Sequence, residues 1–257
     1  MKLLIQREKK QYVPDLDREV TIVEGKEYFV TDISRDFSTM HGTIKSKDLK
    51  AKDGTVVKSN QDKEFIVLTP AFSDIFRRLK RMPQSIIPKD IGAIIAETGI
   101  DGDSVCVDAG AGSGAFACFI AHIVKKVISY EINEKYLENI KANIETLGLK
   151  NITLKHQDVT QGITEKNVDL ITLDLPEPWH AVPTAASALK IGGYLVGYCP
   201  HVSQAQKFLE AVKKEGLHPI KTVEVIERPW VIDEHRTRPD NISIGHTAFL
   251  TFARKYM

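Results

Sequence analysis

From residue 89 onward, apolar residues alternate between stretches with helical spacing and short continuous runs. The helical spacing predicts helices near 89–98, 114–124, 133–147, 181–189 and 202–215. The continuous runs predict strands at 104–108, 126–131, 151–155, 168–173 and 193–198. This alternation is typical of a parallel sheet covered by helices on both faces. Two more β-rich runs, 220–226 and 247–253, flank an irregular charged segment and predict a strand pair at the end of the sheet.

The first 70 residues follow a different pattern, with short alternating runs at 19–23, 27–30 and 64–68. Glycines between these runs indicate turns, so we predict a small antiparallel β domain over 1–70. Residues 71–81 have apolar positions at helical spacing with basic residues on the other face. We therefore predict a linking helix and loop over 71–88, and the α/β domain over 89–257.

The bulk composition excludes several classes of protein. With 257 residues and 42% hydrophobic content, the chain can form one full α/β domain and a smaller one. A formal net charge of +1 provides no overall attraction for nucleic acid and does not exclude a local basic patch. Three cysteines in apolar surroundings and no long apolar stretch lead us to expect a cytoplasmic protein with reduced thiols and no membrane span.

A glycine-rich segment follows the first strand of the α/β pattern. Residues 105–114 read VCVDAGAGSG, and we call residues 110–114 the glycine loop. A strand that leads through glycines into a helix lets the backbone approach a ligand closely, because no Cβ intervenes. The predicted contacts are Gly110, Gly112, Gly114 and Ala115. These positions also fit a dinucleotide fingerprint, so the glycines alone do not identify the ligand.

Three acidic residues at strand ends favour S-adenosylmethionine (SAM) over a dinucleotide. Asp108 ends the first strand, Glu131 ends the second, and Asp158 follows the third. The Glu131 carboxylate suits the hydroxyls of a ribose diol, and Asp158 can accept a hydrogen bond from an adenine amino group. Asp158 taken by itself is equally well explained as a turn or helix-cap residue.

A second loop, residues 174–179 with the sequence DLPEPW, follows the apolar strand 168–173, and we call it the proline loop. Carboxyl ends of parallel strands form the ligand crevice, so Asp174 is expected to face the methyl donor. Adenine N1 is already a nucleophile at neutral pH and needs alignment more than a base. Asp174 would hold the N6 amino group and stabilise the developing charge. The alternative is a proline turn with Trp179 packed in the core.

Two basic segments are candidates for contact with RNA phosphates. Clustered Arg77, Arg78 and Arg81 suit phosphates, although a solvated helix face is the usual meaning of such a run. Gln84 and Ser85 follow and can donate to the SAM carboxylate. Arg238 and His246 belong to a second basic region near the last strands. No histidine or cysteine shows metal-ligand spacing, so we expect no metal.

Taken together, these motifs resemble the TrmI-type tRNA adenine-N1 methyltransferases, the archaeal branch in particular. The similarity covers nearly the whole chain and rests on segments at 83–84, 87–90, 108–114, 130–131, 174–178, 198–200, 204, 238–239 and 245–247. It implies a Rossmann-like class I SAM-dependent methyltransferase that modifies N1 of adenosine 58 in the tRNA T-loop, with some archaeal members also modifying 57. It further implies a homotetramer.

The resemblance also implies that Asp174 contacts the target adenine, Glu131 the ribose and Asp158 the SAM adenine. Bacterial relatives have a tyrosine where this chain has Ile87, so an aromatic base contact from that position is missing. The N-terminal domain is the least similar part, and its RNA-binding candidates are Lys45, Lys47, Lys50 and Lys52.

Two other functions stay open at this point. One is a SAM enzyme that acts on a small molecule or a protein carboxylate, a hypothesis favoured by the near-neutral net charge. The other is a non-catalytic tRNA-binding subunit that needs an active partner. The intact glycine loop and Asp174 argue against this second hypothesis.

Overall fold

The computed structural model describes residues 1–81, 85–233 and 236–257. The chain divides into two compact units, Met1–Arg77 and Arg78–Met257. None of the helices in the described ranges combines the length and apolar character that a membrane span requires.

The first unit is built from short strands. They are β1 (Lys2–Gln6), β2 (Lys9–Val13), β3 (Arg18–Val23), β4 (Lys26–Val30), β5 (Phe37–Thr39), β6 (Gly42–Ile44), β7 (Val56–Lys58) and β8 (Glu64–Leu68), with helices α1 (Ser46–Leu49) and α2 (Phe72–Phe76). Strands β4, β1, β8 and β7 form an antiparallel sheet in that order, while β2–β3 and β5–β6 are separate hairpins. Buried Leu4, Phe65 and Val67 lie in its core. The predicted antiparallel strands at 19–23, 27–30 and 64–68 are confirmed.

The helix predicted over 71–81 is much shorter than expected, because α2 ends at Phe76. Beyond it the backbone of Lys80 is bonded by a side chain instead of by a helical partner. Its N–H donates to Asn143 Oδ1 at 3.2 Å, and its carbonyl accepts from Asn143 Nδ2 at 2.9 Å. Leu79 is buried without helical structure. The apolar spacing was therefore a sign of burial in a turn, and the prediction was wrong from Arg77 onward.

The second unit alternates helices and strands as the sequence predicted. Its elements are α3 (Pro88–Thr98), β9 (Val105–Ala109), α4 (Ala115–Ala121), β10 (Lys126–Glu131), α5 (Glu134–Leu147), β11 (Ile152–His156), β12 (Val168–Leu173), α6 (Val182–Ala188), β13 (Leu189–Cys199), α7 (Val202–Lys214), β14 (His218–Glu224), β15 (Trp230–Ile232), β16 (Thr237–Pro239) and β17 (Phe249–Arg254). The predicted positions agree within a few residues. The largest strand difference is at β13, which begins at Leu189 instead of 193.

The seven-stranded sheet has the order β11-β10-β9-β12-β13-β17-β14. Strands β9 to β13 are parallel, and β17 runs antiparallel between β13 and β14. The predicted terminal strand pair is thus confirmed. Parallel pairing brings the carboxyl ends of β9, β10, β11, β12 and β13 to one edge. The residues that follow these strands build the site described next.

Candidate functional site

A cavity of about 1020 Å³ opens at the carboxyl edge of the sheet. Its walls include most of the glycine loop, the ends of β9 and β10, the turn after β11, the start of the proline loop and the first turn of α7. Of the residues predicted to hold the cofactor, the wall contains Ser85, Asp108, Gly110, Gly112, Ala115, Glu131, Asp158 and Asp174. The structure therefore brings together side chains from five separate segments of the chain.

Gly110 joins the glycine loop to its neighbours through backbone contacts. Its N–H and that of Ala111 donate to the Tyr130 carbonyl, at 3.1 and 3.0 Å, which fixes the loop against β10. The φ of Gly110 is +89°. A Cβ at this position would lie 2.0 Å from the carbonyl oxygen of Asp174. Only glycine fits, and the glycine loop and proline loop touch here through their main chains.

The other glycines of the glycine loop have two different roles, since Gly112 lines the cavity and Gly114 packs against α5. The N–H of Gly112 donates to Glu131 Oε2 at 2.8 Å. Gly114 is outside the wall, and a Cβ there would lie 2.9 Å from Cγ2 of Ile140. Its absent side chain makes room for Ile140 of α5, so the structure shows a packing reason for this glycine, and its contact with the cofactor stays a prediction. Ala115 begins α4 and does line the cavity.

The Asp108 carboxyl group is buried below the glycine loop. One oxygen accepts a hydrogen bond from Ser129 Oγ at 2.9 Å. Burial, with a smaller contribution from the nearby Glu131, raises the pKa of Asp108 to about 7, and the Ser129 hydrogen bond opposes that shift. Burial therefore disfavours the ionised form of this carboxyl group in the free protein.

Both carboxylate oxygens of Glu131 are held by backbone amides. Oε2 accepts from Gly112 and Oε1 accepts from the N–H of Asn133, each at 2.8 Å. Each oxygen retains a second lone pair for a ligand hydroxyl. The next residue, Ile132, lines the cavity with 65% of its surface exposed. The sequence analysis assigned no role to Ile132, although an apolar residue directly after an acidic strand end offers a surface on which a ligand ring can pack.

Asp158 serves as a cap and also lines the cavity. Its Oδ1 accepts from the N–H and the hydroxyl of Thr160, both at 2.8 Å, and so caps the short 3-10 turn Val159–Gln161. The capping alternative is therefore correct for this oxygen. The half-buried side chain still lines the wall beside Gln157.

Asp174 begins the proline loop directly after β12. Its N–H donates to the Ala109 carbonyl at 2.9 Å, which continues the pairing between β9 and β12. Burial first, then the charges of Asp108 and Glu131, raise the pKa of Asp174 to about 8.

Trp179, at the end of the proline loop, is half-buried and not in the core. Lys207 Nζ lies 4.7 Å from its ring centroid, and its Nε1 donates to His180 at 3.1 Å.

Gln84 and Ser85, which precede α3, were predicted to bind the SAM carboxylate, and the structure describes Ser85 of this pair. Ser85 Oγ lies 2.8 Å from Ser113 Oγ, and both side chains line the cavity. Gln84 lies outside the described residues. The sequence analysis assigned no role to Ser113, because attention to the glycines of the loop left the serine between them unexamined. The Gln204 side chain, from the first turn of α7, also lines the wall without having been assigned a role.

None of the residues predicted to bind RNA lines the cavity wall. Arg77, Arg78 and Arg81 are exposed. Arg238 is half-buried and donates to the Pro239 carbonyl and to Asn241 Oδ1, at 3.0 and 2.8 Å. His246 is hydrogen-bonded on one side to the Glu224 carboxylate, which raises the pKa of the imidazole, and on the other to the Pro200 carbonyl at 2.8 Å.

The charges of the wall indicate what it can bind. Asp108, Glu131 and Asp174 converge, and the raised pKa of two of them is partly a sign of mutual repulsion. Such a site disfavours a pyrophosphate and favours a ligand with positive charge and hydroxyl donors. Within the described ranges, no group of three or more His, Cys, Asp or Glu side chains has the arrangement of a metal site.

Comparison with known proteins places this site in context. The family model described as "tRNA methyltransferase complex GCD14 subunit" matches residues 65–241. The chain is 35% identical to the tRNA (adenine(57)-N(1)/adenine(58)-N(1))-methyltransferase TrmI of Methanocaldococcus jannaschii, over 90% of this chain and 92% of that protein. It is 30% identical to the tRNA (adenine(58)-N(1))-methyltransferase TrmI of Thermus thermophilus, over 81% and 84%.

Among solved structures, a SAM-dependent O-methyltransferase from Thermotoga maritima superposes with a TM-score of 0.79 and 27% identity. The match covers 100% of this chain and 93% of that one. The predicted class I methyltransferase fold is therefore confirmed.

Proposed function

Because the chain belongs to the tRNA methyltransferase family described as the GCD14 subunit, we propose that it methylates N1 of adenosine 58 in the T-loop of tRNA. SAM is the methyl donor of this family and fold. One observation supports the proposal most strongly. The main-chain carbonyl of Asp174 lies against Gly110 and both residues line the same cavity, so the residue proposed for the acceptor borders the loop proposed for the donor.

The residues present fit SAM. Gly112 lines the cavity without a side chain, and the atom nearest to an added Cβ there would be 3.9 Å away, so the main chain is open to a ligand at this point. The wall also carries carboxylates where a cation and a ribose would lie. We propose that Glu131 accepts from the ribose hydroxyls and that Asp158 accepts from the adenine amino group. Ser85, Ser113 and Gln84 would donate to the amino-acid carboxylate. When bound, SAM supplies an electrophilic methyl group on a sulfonium.

We propose that Asp174 is the catalytic residue on the acceptor side. Its carboxylate would accept a hydrogen bond from the N6 amino group of the target adenine and so align N1. As N1 forms its new bond, positive charge develops on the ring, and a nearby carboxylate stabilises that charge. A cation in the cavity would lower the pKa of Asp174 and keep it ionised for this role. The Asp108 carboxyl group, whose charge raises the pKa of Asp174 in the free protein, would add to the stabilisation of the ring charge once both groups are ionised.

For RNA binding we propose Arg77, Arg78, Arg81, Arg238 and His246, with phosphates as their ligands. They would contact parts of the tRNA outside the cavity, since none of the five lines the wall.

We retain the domain limits of 1–70 for the β domain, 71–88 for the linker and 89–257 for the catalytic domain. Because tRNA is the substrate, we also propose that the protein acts in the cytoplasm.

A homotetramer is proposed as the working assembly. The segment between β14 and β17 exposes five large apolar side chains, namely Ile226, Trp230, Ile232, Ile242 and Ile244. Exposed apolar clusters of this kind mark protein interfaces. A Trp230→Asp, Ile242→Asp double variant should fall to a smaller assembly in light scattering, whereas Ile191→Asp, at an exposed position on β13, should not. A wild-type chain that is monomeric would contradict the proposal.

Mass spectrometry of nucleosides tests the function directly. A tRNA transcript incubated with SAM and this protein should yield N1-methyladenosine at position 58, and mapping of digestion fragments will show any second site at 57. Unmodified nucleosides would refute the proposal. In that case, SAM turnover with a small molecule or protein acceptor would support the first alternative. SAM binding without turnover would support a non-catalytic subunit.

A further inference from the structure

Gln204 connects the proline loop to helix α7 through both ends of its side-chain amide. Its Nε2 donates to the carbonyl of Pro176 at 2.9 Å. Its Oε1 accepts from the N–H of His201, the N-cap residue of α7, also at 2.9 Å. The side chain is half-buried and lines the cavity. One amide therefore determines the spacing between the loop and the helix.

The proline loop has few other ties of this kind. Its first residue is held by the hydrogen bond from Asp174 to Ala109. Pro176 and Pro178 have no N–H to donate. Between Leu175 and Glu177, within the described part of the chain, the Gln204 amide makes the one hydrogen bond that reaches the loop from another element. The conformation that follows Asp174 therefore depends on this side chain.

A second side chain of the same helix face supports the arrangement. Lys207 lies three residues after Gln204, so the two project from the same side of α7. Its ammonium group lies over the ring of Trp179, 4.7 Å from the centroid. Helix α7 thus contacts the proline loop at Pro176 and again at Trp179, on both sides of buried Pro178.

We propose that Gln204 is a positioning residue for methyl transfer, which rests on the proposed function. By holding the Pro176 carbonyl, it sets the course of the proline loop and with it the place of the Asp174 carboxyl group. A displacement of about 1 Å at such a group lowers turnover strongly, because transfer depends on alignment. The competing explanation is that Gln204 serves only as a helix cap.

The Gln204→Glu variant separates these explanations. Glutamate at the third helical position is a good capping residue, since its carboxylate accepts from the N-cap N–H as Oε1 does now. It cannot donate to Pro176 when ionised, so the tie to the loop becomes a repulsion. Gln204→Met loses both hydrogen bonds at similar volume. Gln206→Glu makes the same change at an exposed position of α7 and is the matched control.

For Gln204→Glu we expect kcat on tRNA to fall about tenfold. The thermal midpoint and the dissociation constant for SAM should stay at the values of the Gln206→Glu control. Gln204→Met should lose both turnover and stability. A kcat equal to that of the control, or one that falls only together with the thermal midpoint, would overturn the proposal. A wild-type protein inactive on tRNA would instead refute the proposed function.

Fluorescence supplies a readout that is independent of turnover. The chain has two tryptophans, so in a Trp230→Phe background the emission comes from Trp179 in the proline loop. Gln204→Glu should shift this emission and its quenching by acrylamide, whereas Gln206→Glu should leave both unchanged. Identical spectra for the two variants would show that the loop has not moved and would also overturn the proposal.

Discussion

The glycine loop and the proline loop follow adjacent parallel strands and reach the same cavity, yet they are held in different ways. The glycine loop is fixed by its own backbone, with N–H groups bonded to Tyr130 and Glu131. The proline loop lacks such donors at Pro176 and Pro178 and is tied from outside by Gln204. Under the proposed function, the methyl donor, which many enzymes share, is bound largely by main chain. The acceptor base is specified by side chains, which are replaceable one at a time.

The largest effect is expected from Asp174→Ala, which removes the acceptor carboxyl group and leaves the glycine loop intact. We expect kcat on tRNA to fall about a thousandfold, since alignment and charge stabilisation are both lost. The dissociation constant for SAM, measured by calorimetry, should change only a few-fold. Glu210→Ala, at an exposed position of α7 that does not line the cavity, serves as the control. An equal loss of SAM binding would mean that the two loops do not divide the work.

Gly110→Ala should damage both loops, because the new Cβ would meet the Asp174 carbonyl. We expect SAM affinity to fall about a hundredfold, a change of roughly 2.7 kcal/mol. Gly148→Ala is a matched control, since its φ of +65° imposes comparable backbone strain but nothing lies within 4 Å of the added Cβ. It should cost about 1 to 2 kcal/mol of stability and no SAM affinity. Equal SAM affinities for the two variants would contradict the contact.

The pH dependence of SAM binding tests the part of the cavity wall formed by Asp108, Glu131 and Asp174, which we call the acidic wall. The pKa values of Asp108 and Asp174 are raised to about 7 and about 8 in the free protein. A bound cation favours their ionised forms, so binding releases protons and affinity rises as pH increases. We expect about a tenfold gain between pH 6 and 8.

The demethylated product S-adenosylhomocysteine is the control ligand for this experiment, because it lacks the sulfonium charge and keeps the same amino-acid group. Its affinity should change less over the same pH range. Calorimetry in two buffers of different ionisation enthalpy counts the released protons directly. Identical pH profiles for the two ligands would show that the carboxyl groups do not sense the sulfonium.

The smallest effect concerns Arg238, which lies outside both loops. If it meets phosphate, Arg238→Ala should weaken tRNA binding several-fold and reduce the salt slope by about one unit. Arg236→Ala is the control, because Arg236 belongs to the same segment and is paired with Asp233 at 2.7 Å. An unchanged salt slope for Arg238→Ala would show that Arg238 does not contact phosphate and only stabilises its own turn, through the hydrogen bond to Asn241.

The sequence was sufficient to predict most helices and strands of the second unit, and the residues of the site that lie at the carboxyl ends of its strands. The positions of Asp108, Glu131 and Asp174 at or beside the carboxyl ends of β9, β10 and β12 were predicted to within one residue. This was possible because hydrophobic periodicity is a local property and parallel strands end at a common edge. The α2 prediction failed because apolar spacing does not distinguish a helix from a turn whose backbone is bonded by a distant side chain. Asn143, 63 residues away, made that difference at Lys80.

What the sequence by itself determined is which residues stand at the ends of the strands, and therefore the kind of ligand the edge can hold. Only the tertiary structure decided which of them touch. Three such contacts are Gly110 against Asp174, Ser85 beside Ser113 and Gln204 on Pro176, and they join segments that adjoin α3, β9, β12 and α7. They depend on the order of strands in the sheet, and the pKa values of the acidic wall depend on the same convergence. Hydrophobic periodicity predicts neither these contacts nor the pKa values, because it reports burial along the chain and not the distance between residues that are far apart in sequence.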